Sequence, residues 1–134
     1  MSSQQLSDAK RFLVVDDEAD LLSVTEMVLH TWGHQTQSFT DPRKALDAFR
    51  LAPNEFSVAL IDIKMPHMSG PELAKEMLRI RANLPIVFMT AFEFDPVAFA
   101  GLPIVYKPQD VVRKPYAPTD LCKVVKEHVA ASSA

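Results

Sequence analysis

The stretch FSVALID at Phe56–Asp62 is a short run of apolar and β-branched residues that ends in a carboxylate. A second run of this kind, FLVVD, occupies Phe12–Asp16, and a third, PIVFMT, occupies Pro85–Thr90. Uninterrupted apolar runs of this length are typical of strands that are covered on both faces, as in a parallel sheet. The sequence therefore predicts a buried sheet with these three segments as its central strands.

Helical patterns separate the strands. The predicted helices cover Glu18–Trp32, a segment opened by Asp41-Pro42, Pro71–Arg81 and Pro118–Val129. The second of these starts with an N-cap aspartate and a proline in the first turn, which is a common helix start. In the first helix, we expect Leu21, Val24 and Val28 to share one face, with Leu22 and Leu29 beside it.

Two weaker segments complete the pattern. His34–Phe39 is polar and strand-like, which places it at a sheet edge, and Asp110–Lys114 is a short strand candidate. Between the fourth and fifth strands, a short helix from Asp95-Pro96 to Gly101 is expected, and the prolines that follow leave little room for a long one. The fourth helical region is therefore predicted to be irregular.

The alternation of strands and helices defines the fold class. It predicts an α/β protein with a five-stranded parallel sheet covered on both faces, doubly wound in the order 2-1-3-4-5. The 134-residue chain is too short for an eight-unit barrel. We expect one domain at residues 11–130, preceded by a flexible tail at 1–10 and followed by a frayed C-terminus at 131–134.

Composition excludes several classes of protein. With a net charge of −3 and no cluster of basic residues, the chain has no electrostatic surface for nucleic acid. Cys122 is the single cysteine, so neither an internal disulfide nor a cysteine-rich zinc site can form. The apolar runs are too short for a membrane span, and the N-terminus lacks the apolar segment of a secretory signal. We therefore expect a cytoplasmic protein with no membrane partner.

The ends of the predicted strands carry the polar residues that could perform chemistry. In an open parallel sheet, ligands bind at the carboxyl ends of the strands, where the strand order reverses. The strands end at Asp16-Asp17, Asp62, Thr90 and Lys114. Three carboxylates, a hydroxyl and an amine should therefore converge at one edge of the sheet.

This set of groups favours a metal and a phosphoryl group. Neighbouring carboxylates repel one another unless a cation or a proton lies between them, and Mg²⁺ prefers oxygen ligands of this kind. Mn²⁺ is the alternative metal. A lysine and a hydroxyl beside the acids suit phosphate oxygens. Nucleophilic attack by a carboxylate on phosphorus would then give an aspartyl-phosphate.

Four motifs of the chain resemble those of one family. They are VVDDE at Val14–Glu18, LIDIKMPHMSGPEL at Leu60–Leu73, FMTAF at Phe88–Phe92 and RKPYAPTDL at Arg113–Leu121. In this order and at these strand ends they resemble the receiver domain of two-component response regulators, which has a flavodoxin-like fold. The resemblance covers about residues 11–130.

The resemblance implies a role for each acid. Asp62 would be the phosphoacceptor. Asp16 and Asp17 would hold Mg²⁺ together with Asp62, and the backbone carbonyl of Lys64 would be a further ligand.

Other residues would bind or shield the phosphoryl group. By the same resemblance, Thr90 would bind a phosphoryl oxygen and Lys114 would pair with the phosphoryl group, while the small Ala91 leaves room for it. Lys64 and Phe92 flank the expected path of the attacking water, so we expect them to tune the lifetime of the acyl phosphate.

Family members receive the phosphoryl group from a histidine kinase, or exchange it with a histidine phosphotransfer protein, and lose it by hydrolysis. The resemblance thus implies a stand-alone phosphorelay switch that signals through a downstream protein and is not an enzyme in its own right. A pseudo-receiver, which would bind proteins without being phosphorylated, is the first alternative. A Mg²⁺-dependent phosphohydrolase is the second, but the sequence offers neither a second acid–base carboxylate near the acceptor nor a substrate cap.

Two details of the C-terminal third are open to alternatives. Lys107 also precedes a proline, but a final helix that followed it would have to cross Pro115 and Pro118, so Lys114 is favoured. The family's switch aromatic lies three residues before the lysine, where this chain has Val111. The usual coupling of threonine movement to aromatic rotation is therefore not expected, unless Tyr106 or Tyr116 substitutes.

Overall fold

A computed structural model describes residues 11–91, 96–102, 111–114 and 116–133. Five strands form one sheet in the order β2-β1-β3-β4-β5, and every neighbouring pair is parallel. The strands are β1 (Arg11–Val15), β2 (Gln35–Phe39), β3 (Phe56–Asp62), β4 (Ile86–Thr90) and β5 (Val111–Arg113). The predicted strand order is confirmed, and so is the position of the polar β2 at one edge.

Among the described residues, three α-helices connect successive strands and a fourth follows β5. They are α1 (Ala19–Thr31), α2 (Pro42–Leu51), α3 (Gly70–Ile80) and α4 (Pro118–Ser133). Asp41 caps α2 as predicted, because its side chain accepts a hydrogen bond of 2.9 Å from the backbone N–H of Arg43. At the start of α3, Ser69 and Glu72 exchange reciprocal hydrogen bonds between side chain and backbone. The last helix continues beyond its predicted end at Val129.

Two apolar clusters cover the two faces of the sheet. On one face, Leu13 and Ile61 of the sheet are buried in one cluster with Phe49 of α2 and Leu73 of α3. On the other face, the cluster contains the following residues of the sheet, α1 and α4: Val14, Leu60, Leu29 and Leu121. Alternate residues of each strand thus serve opposite faces, which is the doubly wound arrangement.

The face that α1 turns to the core differs from the prediction. Its buried residues are Leu22, Thr25 and Leu29, whereas Val24 is 52% exposed. Apolar residues lie on more than one side of this helix, so their spacing alone did not determine its rotation about its axis. The helix thus buries Leu22 and Leu29, which were predicted to lie beside the face that carries Val24.

The region between β4 and β5 is described in part. A short 3₁₀ helix covers Pro96–Phe99, in agreement with the short helix expected there. Phe99 is buried, and its ring packs edge-to-face on Phe88 of β4 with a centroid distance of 5.0 Å. Residues 92–95 and 103–110, which include Phe92, Tyr106 and Lys107, lie outside the described residues. No helix within the described ranges combines the length and apolar character that a membrane crossing requires.

Candidate functional site

The acidic residues converge at the carboxyl end of the sheet. Since β1 pairs with β3, Asp16 and Asp17 follow β1 beside Asp62, the last residue of β3. Ligand atoms from the three carboxylates all lie within 4.8 Å of one another. Asp16 and Asp62 are 1% and 5% exposed, whereas Asp17 is open to solvent. The predicted cluster therefore exists, with one member facing water.

The loop after Asp62 needs glycine where it returns to the sheet. The backbone N–H of Gly70 donates to the carbonyl of Ile63 at 2.8 Å. A Cβ atom at Gly70 would lie 2.9 Å from the Cα of Ile63 and closer still to the carbonyl oxygen of Asp62. Any larger residue would therefore push α3 away from the backbone that carries Asp62.

Lys114 joins the acids from the neighbouring side of the sheet. Its backbone N–H donates to the carbonyl of Thr90 at 2.7 Å, which extends the pairing of β4 and β5. Its Nζ donates to Asp16 Oδ2 at 2.8 Å and to Asp62 Oδ2 at 3.2 Å. The side chain is 5% exposed, so these are buried ion pairs.

Sequence reasoning missed one carboxylate of this network. Lys114 Nζ also donates to Glu18 Oε1 at 3.3 Å. Glu18 stands at the N-cap of α1, and its backbone N–H donates to Asp16 Oδ1 at 2.9 Å. Its position directly after Asp16-Asp17 was the only available signal. The ammonium of Lys114 thus contacts three carboxylates.

Burial and charge shift the acidity of this group of residues. Burial raises the pKa of Asp62 to about 7; Asp16 acts in the same direction, and the positive charge of Lys114 opposes the shift. Burial disfavours the Lys114 ammonium, but hydrogen bonds and charges from Asp16 and Asp62 outweigh it, so the pKa of Lys114 is raised. Lys114 is therefore held as a cation, whereas Asp62 needs a further positive partner to be fully ionised at neutral pH.

Of the other predicted site residues, three lie among the described residues and one does not. Thr90 is 3% exposed at the end of β4, and the next residue, Ala91, is exposed. Ala91 and Lys114 line a recess of about 350 Å³ beside the acids. Lys64 is exposed in the loop after β3, and its carbonyl remains a predicted metal ligand. Phe92 lies outside the described residues, so its tuning role stays a prediction.

Neither tyrosine is shown to replace the switch aromatic. Val111 is half-buried at the start of β5 and packs against the cluster that contains Phe99. Tyr116 instead packs on the other face of the sheet, and its hydroxyl is hydrogen-bonded to Thr25 of α1. Tyr106 lies outside the described residues.

The donor set fits Mg²⁺. Three carboxylates with ligand atoms within 4.8 Å of one another supply hard oxygen donors, and the exposed Asp17 leaves one side accessible to water. One lysine cannot neutralise Asp16, Asp62, Asp17 and Glu18 together, so the site retains a negative charge that a divalent cation would compensate.

Comparison with known proteins agrees with this geometry. The family model of the response regulator receiver domain matches residues 12–126. Response regulator SaeR of Staphylococcus aureus is 28% identical over 109 residues, which cover 81% of this chain and 46% of that protein. The chain thus spans about half the length of the curated relatives it matches.

Solved structures share the fold. A CheY-like receiver domain protein from Methanospirillum hungatei is 27% identical with a TM-score of 0.79, over 92% of this chain and 96% of that one. A complex of CheX and CheY with BeF3 and Mg²⁺ from Borrelia burgdorferi aligns with a TM-score of 0.77 at 15% identity, over 88% and 87% of the two chains.

Proposed function

Because the chain belongs to the response regulator receiver domain family, whose members are phosphoacceptor signalling modules rather than enzymes, we propose that Asp62 accepts a phosphoryl group from a phosphohistidine donor. One observation carries the proposal. The buried carboxylate of Asp62 lies within 4.8 Å of two further acids and 3.2 Å from the ammonium of Lys114. This places a nucleophile, a cation and a set of metal donors around one point.

The transfer is a substitution at phosphorus. A lone pair of an Asp62 carboxylate oxygen forms the new O–P bond, while the P–N bond of the donor breaks and leaves its electron pair on the imidazole. The imidazole takes a proton from solvent at its other ring nitrogen. In the later hydrolysis, a water oxygen forms a bond to phosphorus while the P–O bond to Asp62 breaks and leaves its electron pair on the carboxylate. The water gives up a proton to solvent, and inorganic phosphate is released.

Each residue of the candidate site has a part in this transfer. Lys114, already charged and buried beside Asp62, pairs with a phosphoryl oxygen, and Thr90 donates a hydrogen bond to another. Asp16, Asp17, Asp62 and the carbonyl of Lys64 would hold Mg²⁺. When bound, the metal neutralises the negative charge that accumulates where a phosphoryl group meets a carboxylate. The Mg²⁺ in the Borrelia CheX–CheY complex supports this choice of metal on the same fold.

The partners follow from the same chemistry. A histidine kinase or a histidine phosphotransfer protein supplies the phosphoryl group, and a downstream protein binds the modified form. We place this phosphoryl exchange in the cytoplasm. The matched segment is 46% of SaeR. The proposal therefore concerns the receiver domain alone and not the activity of a longer protein.

One observation favours a second candidate, a pseudo-receiver that binds proteins without modification. Val111 stands where the family has its switch aromatic, so the usual link between the site and the surface is missing at that position. The complete acidic cluster with Lys114 favours the phosphorylated switch.

Intact-protein mass after incubation with acetyl phosphate tests the proposal. We expect a gain of one phosphoryl group with Mg²⁺, no gain with a chelator, and no gain for Asp62→Ala. A wild-type protein that binds Mg²⁺ in a titration and yet gains no mass from acetyl phosphate or from a phosphohistidine donor would support the pseudo-receiver instead.

A further inference from the structure

A hydrogen bond between the hydroxyl groups of Tyr116 and Thr25 joins the connection between β5 and α4 to helix α1. We propose that Tyr116 is a positioning residue which, through Thr25, sets the place of Lys114 at the phosphoacceptor site. This inference rests on the proposed function, because Lys114 matters only if Asp62 is modified. It concerns a contact between residues 91 positions apart in the chain.

The direction of the hydrogen bonds follows from counting protons. Thr25 Oγ1 lies 3.0 Å from the backbone carbonyl oxygen of Leu21, which can only accept, so the Thr25 hydroxyl donates its one proton there. The bond between Thr25 and Tyr116 must then be donated by the tyrosine. The chain of donation thus runs from Tyr116 through Thr25 to the backbone of α1.

Burial makes this contact costly to lose. Thr25 is 1% exposed and is the single buried polar residue among the described parts of the chain that does not lie at the carboxyl end of a strand. Tyr116 is half-buried, and its ring packs against the cluster beneath α1 and α4. If the Tyr116 hydroxyl is removed, the buried Thr25 hydroxyl loses the hydrogen bond that it accepts.

The contact lies two residues from Lys114. The backbone of Lys114 is fixed to Thr90 at 2.7 Å, and α4 begins at Pro118, so Tyr116 is the intermediate anchor of the connection. The same helix α1 also holds the Lys114 ammonium through Glu18 at 3.3 Å. Helix α1 thus contacts this part of the chain at two points, and Glu18, Lys114 and Tyr116 all line the recess beside the acids.

These two contacts determine how Lys114 approaches the phosphoryl group. The ammonium divides its donors among Asp16, Asp62 and Glu18, and it must turn toward the phosphoryl oxygens when Asp62 is modified. With the Tyr116 anchor in place, the lysine turns about its own side-chain bonds while its backbone stays still. Without the anchor, the backbone also shifts, and the ion pair to the phosphoryl group becomes weaker.

The test compares Tyr116→Phe and Thr25→Val, which remove opposite ends of one hydrogen bond. Each should slow phosphorylation by acetyl phosphate about fivefold, and the double variant should be no slower than either single variant. Thr25→Ser keeps the hydroxyl group, so this variant should be phosphorylated at the wild-type rate. Thr31→Val is the matched control, because Thr31 makes the same bond to the carbonyl of Met27 at 2.9 Å but is exposed on the far turn of α1.

Coupling to Lys114 separates positioning from a general structural role. In a Lys114→Met background, Tyr116→Phe should have no further effect on the phosphorylation rate. In metal-free urea unfolding, the two changes should be non-additive, with a coupling of about threefold in the unfolding equilibrium constant. Additive effects in both measurements, or a Tyr116→Phe rate equal to wild type, would overturn the inference. A wild-type protein that gains no phosphoryl group defeats the proposed function instead, and the urea cycle still decides the coupling.

Discussion

The two ends of the central sheet are built on opposite principles. Among the residues that the structure describes, four of the five buried polar or charged ones lie at the carboxyl end, namely Asp16, Asp62, Thr90 and Lys114. The buried side chains at the amino end are apolar: Phe12 of β1 stacks on His34 with centroids 4.4 Å apart, and Phe56 at the start of β3 is 1% exposed. One end of the same strands is packed for stability, and the other holds charges that packing alone would exclude.

The difference between the two ends shows that the carboxyl end of the sheet is the less stable one. A buried ion is unfavourable unless it is paired, and removal of one partner leaves the other without compensation. Lys114 compensates Asp16 and Asp62 together, so the carboxyl end carries more buried negative than positive charge. Such an arrangement is poor for stability and suitable for binding a metal ion and a phosphoryl group. Substitutions at the two ends should therefore have opposite consequences.

The largest effect is expected for Asp62→Asn. Phosphorylation should be lost completely, because an amide oxygen is not a nucleophile toward phosphorus. The metal-free protein should nevertheless unfold at a higher urea concentration, with a gain of about 1–2 kcal/mol, since a buried negative charge next to Asp16 is removed. Urea unfolding with a chelator measures this gain. A clear loss of stability would mean that Lys114 over-compensates the acids, and the contrast between the two ends would fail.

Phe56→Ala should act in the opposite way at the amino end. The loss of a fully buried ring that packs on Phe49, with centroids 6.0 Å apart, should reduce the free energy of unfolding by about 3–5 kcal/mol. The phosphorylation rate of the folded protein should stay near the wild-type value, because the ring lies at the opposite end of β3 from Asp62. A large drop in rate at a temperature where the variant is folded would show that the two ends are coupled.

The smallest effect is a dependence of stability on pH. The pKa of Asp62 is raised from 3.8 to about 7 by burial, so the folded protein keeps a proton that the unfolded chain has already released. Stability of the metal-free protein should therefore fall as the pH rises through this window, on the order of 1–3 kcal/mol between about pH 5 and pH 8. Urea midpoints across this range give the slope. Asp62→Asn should flatten it, and an equal slope in that variant would assign the dependence to another group.

Local patterns were sufficient for the sheet and for the acidic cluster. The apolar runs at β1, β3 and β4 identified buried strands, and a parallel sheet brings the residues after those strands together whatever the details of packing. This is why Asp16, Asp17 and Asp62 could be predicted as neighbours. Lys114 could be chosen over Lys107 because prolines restrict where the last helix can begin.

Contacts between distant segments were not available from such patterns. On α1, Thr25 is buried together with Leu22 and Leu29, and its hydroxyl contacts a tyrosine far along the chain. With Leu21 and Val24 as apolar as Leu22, periodicity could not select the buried face. The contact between Glu18 and Lys114 was missed for the same reason, since it requires the relative placement of α1 and β5.

Reduction by borohydride locates the modified residue and tests the central claim most directly. Hydride converts an aspartyl-phosphate into homoserine, so peptide mass spectrometry after treatment with acetyl phosphate and Mg²⁺ identifies the acceptor. The account predicts homoserine at position 62 alone, in an amount equal to the phosphoryl group gained by the intact protein. Homoserine at Asp16 or Asp17, or none in a protein that has gained a phosphoryl group, would contradict it.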